Sequence, residues 1–268
     1  MNPRARVQPL PGAKVREARD TYLSLCRRYV EEHPSSPYVD YIGSAVVNAA
    51  VLDRQVRAFE LYAPYIADGM RVLDWGCRHA PDSCMLKTVF PGLDISGCDT
   101  MDDDFQVFHR YAGLDFALLD HEYRLPYPDG SFDAAISGGV LEHVAFEHES
   151  LLEVWRILKM GGLFVVTFLP NATSLTENLN RLLGREEAHS RTYDLTMTRN
   201  MLLRSGFMLE ISGYHQIFPT LGKSASMGGW RAALTRATVP LNRPVERVPG
   251  LRAVASNLYL VVRKVNCL

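Results

Sequence analysis

The chain has 268 residues, 47% of them hydrophobic and 22% charged, with a net charge of −1. That is enough chain for one full core with additions, and it gives no global electrostatic argument for nucleic acid. The five cysteines include no CxxC pair, which argues against a zinc site or disulfide framework and for reduced thiols. The positively charged start lacks a following apolar h-region, and no apolar run approaches the length of a membrane span, so a cytoplasmic location is expected.

The first dozen residues read as a loose arm. A helix is predicted over 14–32, then a break at 34–37, then a second helix or pair over 44–66. Residues 1–69 thus form a helical segment placed to cap a site, although packing elements would look the same. From residue 70 the pattern alternates. Strands are predicted at 70–74, 94–99, 116–120, 132–137 and 163–169, with helices at about 82–89, 105–111 and 149–159. Asp82 is the expected cap of the first of these helices, and Gly161-Gly162 the expected stop of the third. A helix at 196–205 and strands at 207–214 and 257–265 follow. Such alternation implies parallel strands covered on both faces, an α/β doubly wound sheet over 70–268. Residues 171–195 and 215–255 break the rhythm and read as insertions on the substrate side.

The chain centres on Arg71–Cys84, a strand, a tight turn and a helix. Asp74 closes the strand and Gly76 lets the backbone turn. Acids also end the next two strands, Asp99 and Asp120. In a parallel sheet these carboxyl ends share one edge, where ligands bind. An acid after the second strand can accept from a ribose diol, and one after the third can meet an exocyclic amine. A nucleoside-containing ligand is therefore expected.

The blocks Val-Leu-Asp-Trp-Gly-Cys, Gly-Cys-Asp, Leu-Pro-Tyr-Pro-Asp-Gly-Ser-Phe-Asp-Ala-Ala-Ile-Ser, Val-Leu-Glu-His-Val and Glu-Val-Trp-Arg-Ile-Leu-Lys-Met-Gly-Gly occur in this order. Over about 71–167 the chain resembles the class I S-adenosylmethionine-dependent methyltransferases, in particular the ubiquinone and menaquinone biosynthesis group. The resemblance implies a Rossmann-like seven-stranded sheet with its final strand antiparallel, and S-adenosyl-L-methionine as cofactor. It places Asp74, Gly76, Cys77 and Arg78 near the methionine part, Asp99 and Thr100 at the ribose, Asp120 and His121 at adenine, and Ser137 and Gly138 beside the sulfonium. His143 becomes the candidate catalytic residue.

The first turn departs from the family's G-x-G-x-G, with Arg78 and Ala80 where glycines are usual. Arg78 could grip the methionine carboxylate or fill the space, and the second case would leave a non-catalytic binding or partner protein. Glu142, His143, Glu147 and His148 match no strong ligand spacing, so no metal is expected. The expected activity is methyl transfer to a small-molecule or glycan-type acceptor, with oxygen slightly favoured. Eight basic residues against one acid from Gly222 to Leu268 are compatible with a phosphate or peripheral membrane contact.

Overall fold

A computed structural model describes residues 7–101, 104–121, 123–182, 189, 191–218, 237–238, 241–246, 248 and 250–266. Seven strands form one sheet: β1 (Arg71–Trp75), β2 (Asp94–Asp99), β3 (Asp115–Leu118), β4 (Phe132–Gly138), β5 (Leu158–Pro170), β6 (Phe207–His215) and β7 (Asn257–Lys264). Their order is β3-β2-β1-β4-β5-β7-β6. Neighbours from β3 to β5 pair in parallel, while β7 enters between β5 and β6 antiparallel to both. The expected fold and the reversed last strand are both present.

The central strands bury both faces. Val72, Ala134, Ile136 and Val165 join one apolar cluster, whereas their neighbours Leu73, Ala135, Phe164 and Val166 join a second. The period of two in a strand sends successive side chains to opposite layers, so continuously apolar runs mark strands covered twice. The first cluster is roofed by α1 (Gly12–Glu32), α2 (Val39–Val47), α3 (Ala49–Tyr62), α4 (Pro81–Val89) and α5 (Gln106–Ala112). The second is covered by α6 (Glu147–Ile157) and α8 (Leu195–Arg204). Between these two helices lies α7 (Leu175–Leu182), and a short α9 (Asn242–Val245) precedes β7.

The N-terminal helices belong to the core. Ala18, Cys26, Phe59 and Tyr62 are fully buried in the same cluster as α4 and α5. A single side chain of this size contributes about 1.5–3 kcal/mol when buried, so α1 and α3 are structural as well as positional.

Two expected helix signals are corrected. Asp82 does not cap α4: the cap is Ala80, in left-handed conformation, followed by Pro81, and Asp82 is buried in the first turn. Gly161-Gly162 does not stop α6, which ends at Ile157 and passes directly into β5. An added Cβ on Gly162 would lie 2.8 Å from the Lys159 carbonyl oxygen, so the pair serves a tight strand entry.

Arg156 explains why the Leu125–Ser131 block is ordered. Its guanidinium donates to the carbonyls of Leu125 and Tyr127 and to Asp129 and Glu153. Of the C-terminal basic residues, Arg263 bonds Glu210 and the Gly161 carbonyl, and Lys264 donates to the Leu158 carbonyl above the Trp155 ring. These two are sheet fasteners and not part of a free basic face. Lys223, Arg231, Arg236 and Arg247, the side chain of Arg243 and Cys267 lie outside the described residues, as does most of the 215–255 insertion. No helix among the described residues is long and apolar enough to cross a membrane.

Candidate active site

The turn after β1 is pinned on all sides. Gly76 has φ 71°, and an added Cβ would meet Val140 Cγ2 at 2.3 Å. The N–H groups of Gly76 and Cys77 both donate to the Cys98 carbonyl, at 2.8 and 3.2 Å. Arg78 and Ala80 then adopt φ 47° and 50°. The backbone keeps the shape glycines would give it while carrying side chains, at a cost of roughly 1–2 kcal/mol each. Several contacts offset that cost. The Arg78 N–H donates to Asp99 Oδ2 at 2.9 Å, and His109 Nε2 donates to the Arg78 carbonyl at 2.7 Å. The Arg78 guanidinium sits 5.6 Å from the Tyr38 ring centre and 5.5 Å from that of Tyr41, with Nη2 3.9 Å from Met101 Sδ. Among the described residues, none of the guanidinium's partners is an anion.

Each N-terminal helical element sends a side chain to this turn or to α4. From α1, the Tyr22 hydroxyl meets His79 Nε2 at 2.8 Å. From α2, Tyr41 stacks edge-on to His79 at 5.7 Å. From α3, the Tyr62 hydroxyl and the Gln55 amide both donate to Asp82. Burial, with Arg78 and His109 adding to it, lowers the His79 pKa to about 3, so the ring is neutral. Its other nitrogen, Nδ1, has no partner.

The acids line up along the sheet edge. Asp74, which accepts from the Ser83 hydroxyl, is buried, and burial followed by the charge of Asp82 raises its carboxyl to about 7. Burial raises Asp82 to about 6 against the lowering effect of its two donors. Asp99 accepts from the main chain of Arg78 and of Met101, the latter at 3.1 Å. The Leu119 N–H donates to the Asp99 carbonyl at 2.7 Å, which brings exposed Asp120 alongside, two residues beyond the end of β3. His121 and Thr100 are exposed, and His121 Nδ1 accepts from the Arg124 N–H at 3.2 Å. Cys77 turns its side chain into the core, so it can offer a ligand only its main chain; burial pushes its thiol pKa up.

At the ends of β4 and β5, the buried Ser137 Oγ and Thr167 Oγ1 have no partner among the described residues. Beside them Gly138 and Gly139 leave room bounded by Thr167, Phe168 and Glu142. Glu142 is buried, its Oε2 is without a partner among the described residues, and burial raises its carboxyl to about 7. His143, with its side chain 62% exposed, lies 3.9 Å from the other Glu142 oxygen. Sequence reasoning weighed Glu142 only as a metal ligand and passed over His79. The motif Leu-Glu-His-Val shows a carboxylate beside an imidazole, but not which of the two is buried.

Asp74, Asp82 and Asp99 form no ion pair among the described residues. Three buried carboxylates around one open turn, with unsatisfied hydroxyls across the edge, suit a ligand that brings cationic groups and a diol.

Comparison with known proteins agrees. Residues 73–166 match the sequence profile of the family described as "Methyltransferase domain". Residues 73–166 are a class I methyltransferase domain. Its relatives include a fatty-acid O-methyltransferase of Mycolicibacterium smegmatis, 33% identical over 103 residues, covering 37% of this chain and 37% of that protein. A demethylmenaquinone methyltransferase of Deinococcus radiodurans is 32% identical over 117 residues, or 42% of this chain and 48% of the relative. The chain thus spans less than half the length of these curated relatives. Among solved structures, the domain resembles phosphoethanolamine N-methyltransferase 2 of Haemonchus contortus in complex with S-adenosyl-L-methionine. The TM-score is 0.57 at 13% identity, over 90% of this chain and 60% of the other. At that identity the likeness is one of fold. S-adenosylmethionine is the cofactor of the family, and the acidic edge fits it.

Proposed function

We propose that this chain methylates an oxygen of a small, largely apolar acceptor, using S-adenosylmethionine. The observation that carries this reading is the uncompensated carboxylate edge beside a first turn whose backbone keeps its left-handed course through Arg78 and Ala80. That course supports retained cofactor binding over the alternative of a binding or partner protein that has lost it. The relatives named for a fatty acid and a demethylmenaquinone favour a small lipid-like acceptor.

The cofactor supplies a methyl group on a sulfonium cation. Asp99 would hold the ribose hydroxyls, with Thr100 beside it, and Asp120 and the His121 main chain would meet adenine. Asp74, Gly76, the Cys77 main chain and Arg78 would flank the methionine part, and Ser137 and Gly138 would face the sulfonium. The N-terminal helices, tied down through His79 and Asp82, would exclude water from that edge. Glu142 suits the base that an acceptor hydroxyl needs, because its carboxyl titrates near neutral pH. His143, exposed at the mouth, would pass the proton to solvent.

Calorimetric titration of the folded chain with S-adenosylhomocysteine tests the reading. Binding is expected, weakened about tenfold or more by Asp99→Ala, since two main-chain donors and the diol lose their acceptor. A folded sample that gives no heat would overturn it.

A further inference from the structure

A second feature remains unexplained by methyl donation. Between α1, α3, the end of β6 and α9 lies a cavity of about 460 Å³. That is within the size range of small-ligand pockets, roughly 300–1,000 Å³. Part of its wall is apolar, from Val15, Ala50 and Val56, and much of the rest is charged or polar.

The charges do not cancel. Asp53 is taken by Arg19 at 3.1 Å. Glu60 and Glu246 are both taken by Arg57, at 3.3 and 3.4 Å. Arg54 lines the same cavity and has no acid among the described residues; its Nε is buried and unpartnered. His215, also in the wall, is 1% exposed, and neither ring nitrogen has a partner among the described residues. Its burial and the nearby Arg54 and Arg57 keep it neutral, with a pKa lowered to about 3, so one nitrogen is a donor and the other an acceptor. A buried imidazole with neither nitrogen satisfied is costly in a finished core and useful in a binding site.

The cavity also adjoins the methyl-transfer edge. Phe168 has φ 57° at an irregularity in β5, an unusual conformation for a bulky residue. Its ring meets Arg54 at 5.4 Å and His215 at 5.3 Å. Its Cδ2 also lies 3.8 Å from where a Cβ on Gly138 would stand. The Phe168 ring thus touches two side chains of the cavity wall and also lies beside Gly138, at the edge where the methyl group would be delivered.

We propose that this cavity is the acceptor pocket and that it takes an organic acid, the oxyanion seated on Arg54 with a hydrogen bond from His215 and the apolar body against Val15, Ala50 and Val56. The assignment rests on the methyltransferase reading and adds the class of acceptor to it. Arginine suits the role because its planar fork matches a carboxylate with paired donors. The Phe168 ring would set how closely the acceptor approaches the edge.

The test uses the full chain with octanoate, octyl phosphate, octanol and octylamine as probes, each titrated with S-adenosylhomocysteine present. Octanoate is expected to bind, octanol at least about tenfold more weakly, and octylamine not at all; loss of a charged hydrogen bond typically costs a factor of about ten to a hundred. Tighter binding of octyl phosphate than of octanoate would identify the oxyanion as a phosphate, and the reverse order as a carboxylate. Arg54→Gln should remove the preference for octanoate over octanol while leaving S-adenosylhomocysteine affinity unchanged. Failure of the wild type to bind S-adenosylhomocysteine sinks the methyltransferase reading. Normal S-adenosylhomocysteine binding with no preference among the four probes sinks the pocket assignment alone. Because that preference is read on the unaltered chain, the result stands even if Arg54→Gln does not fold.

Discussion

The Tyr22 hydroxyl and Nε2 of His79 lie 2.8 Å apart, both side chains buried, and this bond joins the first helix to the middle of the turn after β1. The turn's geometry is therefore not local. It depends on a helix about 57 residues earlier in the chain.

Tyr22→Phe removes the hydroxyl and leaves His79 with both ring nitrogens unsatisfied in the core. The expected cost is about 1–3 kcal/mol, the penalty for an orphaned buried polar group. Urea unfolding measures it, and a parallel titration should show weaker S-adenosylhomocysteine binding. Unchanged values in both would mean that α1 does not support the turn.

Arg78→Gly separates two opposing effects. The glycine relieves roughly 1–2 kcal/mol of left-handed strain, while the loss of the Tyr38 and Tyr41 contacts forfeits about 0.5–1 kcal/mol each. Stability should change by less than about 1 kcal/mol. Cofactor-product affinity is expected to fall, since the guanidinium holds Tyr38 and Tyr41, at the start of α2, against the turn. A rise in affinity would show instead that the side chain obstructs the site.

Gly76→Ala places a methyl group on Val140 at a residue with φ 71°. A loss of at least about 2 kcal/mol is expected from strain and overpacking together. Pairing it with Val140→Ala should recover part of that loss, as thermal melts of the single and double variants would reveal. No recovery would assign the whole effect to the backbone.

Glu142→Gln tests the buried carboxyl through pH. Its folded pKa of about 7 lies above the ordinary value of 4.5, so the folded state holds the proton more tightly. The group's contribution is fully present below about pH 4.5 and lost as pH rises through about 7. Relative to wild type, the variant should gain stability between about pH 5 and 8, by on the order of 2–3 kcal/mol. Denaturant curves at both ends of that range decide it; parallel pH profiles would mean Glu142 is solvated. If Glu142 is also the base, the same variant loses turnover while retaining cofactor binding.

The alternation of strands and helices from residue 70 was legible because each central strand is apolar on both faces and each acid at its end is followed by a turn signal. Residues joined by distance were not legible. Nothing in the spacing of Tyr22, Gln55 and Tyr62 shows that they converge on His79 and Asp82, and Asp82 reads as a cap when its environment makes it a buried acceptor. Gly161-Gly162 misled for a related reason. A glycine pair after an amphipathic run looks like a helix stop, but here α6 has already ended and the pair admits close approach of the Lys159 main chain. Arg54 and His215 carried no motif, because a pocket built from α3 and the end of β6 exists only after the sheet has closed.

That closure has an order in time. Because β7 lies between β5 and β6, the strand that joins them is the last to leave the ribosome. Until Asn257–Lys264 emerges, the Leu163–Leu169 stretch of β5 offers an apolar edge with unsatisfied main-chain groups, open to pairing with another nascent chain. Premature termination anywhere before β7 would therefore yield an aggregation-prone product rather than a smaller enzyme.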